Sequence, residues 1–420
     1  MSDIDMQALG QRAKAAAAQL ARMTTAQKNE VLTAIADALE LHREAILAQN
    51  ALDVEDARAA GTDDLWIKDR LDLNKRMTGM IADVRNVARL PDPVGKEFDT
   101  RVLENGLRVS RRRTPLGVIG VIYESRPNVT VDVVVLTIKS GNAVVLRGGK
   151  DSLRSNLAMV RVMRDTLTAC GFPADAVQYI ESPDRQYVSE MLKLHDYIDL
   201  IIPRGGASLH KLCRENSTIP VITGGIGICH LYVDETADFD AALRIIHNAK
   251  TQKPAVCNSL DTLLVKSDIA AAFLPRVVAH LAPSGVSFRA EPRALAAVAG
   301  AEAVQPAGAE DFNTEWMSLV LGLKVVDTLD EAIDHINAHS MGHSDGILTQ
   351  KADDAEYFLN AVDSSAVFWN ASTRFNDGGA LGLGAEIAVS TQKLQARGPM
   401  ALEELTTYKW VVVGEGHVRA

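Results

Sequence analysis

The chain has 420 residues, more than one ordinary core accommodates, so two or three domains are expected. Its 47% hydrophobic and 23% charged residues describe a globular protein, and a net charge of −10 argues against nucleic acid or anionic lipid as a partner. No run of 18 apolar residues predicts a membrane helix, and "MSDIDMQALG" carries acids where a signal peptide needs positive charge, so a cytoplasmic protein with reduced thiols is expected.

The first hundred residues read as helices. "TTAQ", Thr24 to Gln27, has the form of a capping box with Thr24 as the cap, and Leu32, Ile35 and Leu39 follow at helical spacing. The stretch "FDTRVLENGLRVSRRRTP" then changes the period. Asn105-Gly106 predicts a two-residue hairpin turn with positive φ at both positions. Two strands alone are marginal, so this ribbon needs partner strands, with another subunit as one source. "SRRRTP" within it is the densest basic patch, and it reads as a solvated strand end.

From Leu116 strands and helices alternate. "LGVIGVIY", "NAVVLRGG", "AVQYI", "YIDLIIPRGG" and "IPVITGG" are predicted strands, with helices between them. Strands this apolar on both faces, separated by helices, imply a doubly wound parallel sheet that binds ligands beyond its carboxyl ends. After Gly227 the alternation restarts with "CHLYVDE", "FDAALRIIHNAK", "SLDTLLV" and "IAAAFLPRVVAHLA", a second α/β domain. The four-glycine loop "FNDGGALGLGAE" (375–386) is expected to be mobile.

Four cysteines with no CxxC spacing fit neither a disulfide framework nor a zinc cluster. Cys170, Cys213 and Cys229 sit in helix or strand contexts that packing explains. Cys257 lies in a loop entering a strand, beside Asn258 and near Lys253, where a cation would favour the thiolate. On these residues alone a small buried hydrophobe and a nucleophile both stay open. "IPRGGASLH" and "LRGGKDS" place glycine pairs after strands, where backbone N–H groups could hold phosphate or simply make a tight turn. His335, His339 and His343 are spaced four apart, but Gly342 interrupts them and no H-E-x-x-H is present, so a solvated helix face is expected and no metal.

In this order, "PLGVIGVI", "KSGNAVVLRGGK", "IPRGGASL", "TGGIG", Cys257, "TEWMSLVLGLKVVDTLDEAIDHIN" and "ARGPMALEELTTYKWVVV" resemble the aldehyde dehydrogenase superfamily over nearly the whole chain. The resemblance implies a cofactor domain (1–97 and 116–227), a catalytic domain (228–400) carrying Cys257, and a small β oligomerisation ribbon (98–115 and 405–416). Within the superfamily, "YESRPNVT" and "GAEIAVSTQKLQARGPM" look like the members that reduce L-glutamyl 5-phosphate to L-glutamate 5-semialdehyde with NADPH in proline biosynthesis. That implies attack by Cys257, a thioester and release of phosphate. It also implies a homo-oligomer, with a glutamate 5-kinase as a candidate partner.

Two departures from the superfamily carry information. Hydrolytic relatives have E-L-G-G, whose glutamate activates water, whereas Ile222 and Thr223 stand near that place here. The Lys-Pro-x-Glu that reads the adenosine ribose is replaced by Arg147-Gly148-Gly149-Lys150, which would welcome a 2′-phosphate. The resemblance further implies Arg204, Gly205, Gly206 and Gly224 at the pyrophosphate, Glu315 at the nicotinamide ribose, and Asn128 with the Cys257 N–H at the oxyanion. Arg126 and Arg374 are chosen for the substrate from charge alone. A CoA-acylating aldehyde dehydrogenase and a non-catalytic nucleotide-binding protein on the same fold are the alternatives.

Overall fold

The computed structural model describes residues 4–224 and 226–419 and divides into two compact units. One comprises the chain up to Thr223, residues 382–388 and residues from 400 onward; the other comprises 224–381 and 389–399. No helix among the described residues is long and apolar enough to cross a membrane.

The first unit contains β1 (Glu97–Val102), β2 (Arg108–Pro115), β3 (Val118–Tyr123), β4 (Ala143–Arg147), β5 (Val177–Tyr179) and β6 (Leu200–Arg204). The second contains β7 (Cys229–Val233), β8 (Leu260–Lys266), β9 (Ser287–Ala290), β10 (Val304–Pro306), β11 (Val320–Val326), β12 (Ser344–Leu348) and β13 (Ala366–Trp369). A short pair, β14 (Ala388–Ser390) and β15 (Gly398–Met400), and the long β16 (Thr406–Val413) complete the chain.

In the first unit a parallel sheet runs in the order β5-β4-β3-β6. Every residue of β3 is buried, as its continuous Val/Ile composition requires of a strand covered on both faces. The helix Thr25–Leu41 begins at the expected capping box: Thr24 Oγ1 accepts from Gln27 N–H at 3.3 Å, and Thr24 N–H donates to Gln27 Oε1 at 2.9 Å. Leu32, Ile35 and Leu39 on its inner face are fully buried.

The fifth strand expected at "IPVITGG" shrinks to an isolated bridge between Ile201 and Val221. Ile201 N–H donates to the Pro220 carbonyl and Ile222 N–H to the Ile201 carbonyl; Pro220 itself has no N–H to extend the ladder.

The ribbon is a three-stranded antiparallel sheet, β1-β2-β16, whose third strand comes from the same chain. Its turn differs from the two-residue form expected at Asn105-Gly106. Gly106 N–H bonds the Leu103 carbonyl and Leu103 N–H bonds the Leu107 carbonyl, which closes a three-residue loop. Only Gly106 is left-handed, at φ +89°; Asn105 is not. A glycine closing a turn and bulge satisfies the strand twist as well as an Asn-Gly pair would.

The second unit is built on seven parallel strands in the order β10-β9-β11-β8-β7-β12-β13. Leu231, Val233, Leu263, Val265, Leu321 and Leu323 line its core and pack against the helices Phe239–Thr251 and Ser267–Leu281.

Residues 224–227 join the second unit because Gly224 pairs with Ser390 and Gly227 N–H bonds Glu315. Residues 382–388 return to the first, where the Gly384 carbonyl accepts from Asn86 Nδ2 at 2.9 Å and Ile387 N–H donates to Met400. The glycine loop at 375–386 therefore carries the chain from one unit to the other.

The histidine expectation is corrected. His335 and His343 are buried rather than solvated, and burial pushes them down to about 2 and about 4. His335 sits on the helix Leu329–His339 with its ring against His230, whereas His343 lies beyond the helix end beside Ser344. Among the described residues no group of three metal-ligating side chains could hold an ion.

Candidate active site

All four cysteines are free thiols. Cys213 and Cys229 have no exposed surface; burial raises Cys213 to about 11 and Cys229 well above its ordinary value. Desolvation also raises Cys170. Such thiols stay protonated and inert at neutral pH. Cys257 is half-buried, in the loop between the helix Phe239–Thr251 and β8.

That loop is fixed by its backbone. Cys229 Sγ donates to the Cys257 carbonyl at 3.1 Å. A Cβ on Gly227 would lie 1.9 Å from the same carbonyl oxygen, so only glycine permits this approach. Gly227 N–H in turn donates to Glu315 Oε1 at 3.0 Å. One glycine therefore links the cysteine loop to the glutamate of the "TEW" segment, 88 residues away in sequence.

Glu315 is pushed up to about 7, chiefly by burial, with the Gly227 N–H opposing and the nearby Asp261 reinforcing the rise. Asp261 is itself raised to about 6 by burial, against the pull of Lys250. Lys250 is fully buried and donates to the Leu260 carbonyl at 2.7 Å, while Trp316 N–H bonds Asp261 at 3.2 Å and so fixes the segment carrying Glu315.

The turn Thr373–Phe375 is tied to the residue after the cysteine. Thr373 Oγ1 donates to the Asn258 carbonyl at 2.8 Å, and Asn258 Nδ2 donates to the Asn376 carbonyl at 3.1 Å and reaches that of Arg374 at 3.5 Å. Asn376 is held in its turn by bonds to the His343 carbonyl and Ser344 Oγ. Arg374, chosen from charge alone, thus stands one turn from the cysteine loop, its Nε bonded to Gln252.

The first unit gathers most of the residues expected to hold a nucleotide. Arg147 closes β4, with Nη1 donating to the Gly148 carbonyl and Nη2 to Pro183. Burial lowers its affinity for the proton. Gly148 has no room for a side chain, because a Cβ there would meet Asn156 Nδ2 at 2.5 Å and Tyr179 Oη at 2.7 Å. These belong to a buried chain, Tyr123–Thr130–Asn156–Tyr179, that fixes the backbone from which Lys150 leaves. Lys150 is exposed and has no ion-pair partner among the described residues.

Arg204, Gly205 and Gly206 lead from β6 into the helix Ala207–Asn216. Gly206 N–H donates to the Glu124 carboxylate at 3.3 Å, so an anionic group already sits on this turn. Gly224 falls in the other unit, paired with Ser390; Gly225 lies outside the described residues. Asn128 opens the helix Asn128–Lys139 and donates Nδ2 to Asp132, which burial raises to about 6. Arg126 is half-buried in the segment just before that helix.

The sequence pattern of the Aldehyde dehydrogenase family matches residues 2–294 and 307–411. The chain belongs to the aldehyde dehydrogenase family. It is an enzyme of that family, an oxidoreductase, and its α/β fold with parallel sheets is the family's. Gamma-glutamyl phosphate reductase of Vibrio parahaemolyticus is 56% identical over 409 residues, 97% of this chain and 98% of the relative. That of Serratia marcescens is 56% identical over 416 residues, 99% of this chain and 100% of the relative. The crystal structure of gamma-glutamyl phosphate reductase from Thermotoga maritima superposes with a TM-score of 0.96 at 46% identity, covering 99% of this chain and 100% of that one.

Within this aldehyde dehydrogenase, several residues of the cysteine site carry no local signal. Gly227, Asp261, Thr373 and Asn376 act through contacts with partners far along the chain, and Lys250 through the strand ten residues on. Only the polar residues buried inside apolar strands, Asp261 in "SLDTLLV" above all, mark them in the sequence.

Proposed function

We propose that this enzyme reduces L-glutamyl 5-phosphate to L-glutamate 5-semialdehyde with NADPH, releasing phosphate, in proline biosynthesis. The observation that carries the reading is the identity of 56% over 97–99% of the chain with enzymes named for that substrate. The half-buried Cys257 supports it, because Gly227 packs on its loop and bonds Glu315, and its three fellow thiols are buried or raised.

In this reading the Cys257 thiolate attacks the acyl carbon and phosphate departs, leaving a thioester on Cys257. The Cys257 N–H, with Asn128, holds the oxygen that gains charge. Arg126 and Arg374 neutralise the substrate's anionic groups. Arg147, Lys150, Arg204, Gly205, Gly206, Gly224 and Glu315 hold the nucleotide. NADPH, when bound, supplies the hydride that reduces the thioester. The first unit then serves as cofactor domain and the second as catalytic domain.

The ribbon serves assembly into a homo-oligomer: β16 forms one edge of its sheet and exposes Tyr408, Trp410, Val412 and Val413. The test of the reaction is NADPH oxidation with L-glutamyl 5-phosphate generated in place by a glutamate 5-kinase. Oxidation that needs the kinase, glutamate and ATP together is expected; oxidation indifferent to them overturns the reading.

Lys150 is expected to set the preference for NADPH over NADH. A charge-assisted contact with the 2′-phosphate contributes on the order of 1.5–3 kcal/mol, or roughly ten- to a hundredfold in affinity. Lys150→Ala should lose most of that ratio in parallel titrations with the two cofactors. An unchanged ratio would assign the 2′-phosphate to another group.

Glu315 has to be ionised to accept the nicotinamide ribose hydroxyls. Because burial raises it to about 7, NADPH affinity should weaken as pH falls through that value, and Glu315→Gln should flatten the profile. The sign for stability is the reverse. A folded-state value above the ordinary 4.5 means the folded chain holds the proton more tightly, so this group's contribution is lost as pH rises through about 7. Titrations between pH 6 and 8 that show no pH dependence of binding in the wild type remove Glu315 from the ribose.

A further inference from the structure

We propose that Glu124 is an internal stand-in for the cofactor's pyrophosphate, holding the Gly205–Gly206 turn in the free protein and opposing the arrival of phosphate. The inference rests on the cofactor reading above and adds to it the residue that sets how tightly the nucleotide is held.

Three observations converge on Glu124. It is the first residue past β3, and its N–H donates to the Arg204 carbonyl at 3.1 Å, which fixes it beside the end of β6. Its Oε2 accepts the Gly206 N–H at 3.3 Å. A Cβ on Gly205 would lie 2.6 Å from the Glu124 carboxyl carbon and 2.7 Å from Oε1, so the carboxylate lies directly over bare glycine backbone and would have to move aside for any side chain there.

The place is the one where an open parallel sheet takes its ligand. From β3 the chain proceeds to β4 on one side and returns to β6 on the other, and the crevice at such a reversal lies beyond the carboxyl ends of the strands. Among the described residues a Cβ on Gly206 would meet nothing within 4 Å, so the turn is open on that side.

A carboxylate and a phosphate oxygen cannot both take the Gly206 N–H. The exposed Glu124 gives up one long hydrogen bond when it leaves, which costs little, but its charge stays in the neighbourhood and repels the incoming anion. Glutamine keeps the shape and an amide oxygen to accept from Gly206, and it removes the charge.

Glu124→Gln is therefore expected to bind NADPH more tightly, on the order of tenfold at low ionic strength, with the gain shrinking as salt screens it. Binding is read on the full chain by the fluorescence of NADPH, and by calorimetry with ADP and with adenosine. ADP should follow NADPH, whereas adenosine, which has no phosphate, should bind both proteins alike. Glu124→Ala should shift in the same direction. Wild type that binds NADPH, with variants that bind it equally or more weakly, overturns this proposal alone. Wild type that does not bind NADPH overturns the cofactor reading, and the proposal with it.

Discussion

Cys257→Ser is expected to lower the rate of L-glutamyl 5-phosphate reduction by on the order of 10⁴-fold or more, the scale at which removing a covalent nucleophile acts in other enzymes. A serine hydroxyl is almost wholly protonated near neutral pH and is a far poorer nucleophile than a thiolate. The fold should be untouched. What holds the loop is the Cys257 backbone carbonyl, facing Gly227 and Cys229, together with the Asn258 bonds to Thr373 and Asn376, and none of these uses the Cys257 side chain. NADPH binding and thermal stability should therefore stay near wild type. Cys213→Ser and Cys170→Ser should leave turnover intact. Cys229→Ser is a different case, because it alters the donor to the Cys257 carbonyl inside a fully buried site, so it should lower both stability and rate modestly. Rapid reduction by Cys257→Ser would sink the assignment of the nucleophile.

Much of the scaffold could be read before any coordinates. Continuous Val/Ile runs such as β3 can be stable only when both faces are covered, and the alternation with helices leaves a parallel sheet as the natural arrangement. Thr24 and Gln27 specify a helix start by chemistry that acts over three residues, and they form the bonds expected of them. What escaped was long-range or geometrically degenerate. Asn105-Gly106 suits a two-residue turn and a three-residue turn alike, and the choice is made by the pairing of Leu103 with Leu107. His335 and His343 look like surface residues by spacing, yet the chain buries both, and only the packing of their neighbours decides that. Cys257 stands out by its loop context and Glu315 by resemblance, but no local feature marks Gly227 as the residue that joins them. A glycine's close approach to a carbonyl is a property of two distant backbones. The glycine pairs at Gly148–Gly149 and Gly205–Gly206 suit a phosphate cradle and a tight turn alike, and Gly148 is required by the buried Asn156 and Tyr179 behind it.

Run backwards, L-glutamate 5-semialdehyde and NADP+ are expected to give NADPH only when phosphate is supplied, apart from a leak slower by about 10²- to 10⁴-fold, the usual worth of general-base help. The thioester on Cys257 needs an activated acceptor. Phosphate is a nucleophile as it stands, whereas water needs a base. Ile222, near the place where hydrolytic relatives carry that base, is buried and can take no proton, and the Thr223 hydroxyl is a poor one. The carboxylates of the cysteine site are otherwise engaged: Asp261 with Lys250 and the Trp316 N–H, and Glu315 with the Gly227 N–H. Glu315 is the group to watch, because at about 7 it exchanges its proton in the working range. If it served as a substitute base, the phosphate-free rate would climb as pH rises through that value and Glu315→Gln would abolish the climb. If it does not, the leak should follow hydroxide alone and be indifferent to the substitution. The assay compares NADPH formation with phosphate, with CoA and with neither, in a buffer free of other nucleophiles. Phosphate alone should restore the full rate. CoA doing so instead would identify an acylating aldehyde dehydrogenase, and equal rates in all three would mean that water is activated by a group other than the missing glutamate.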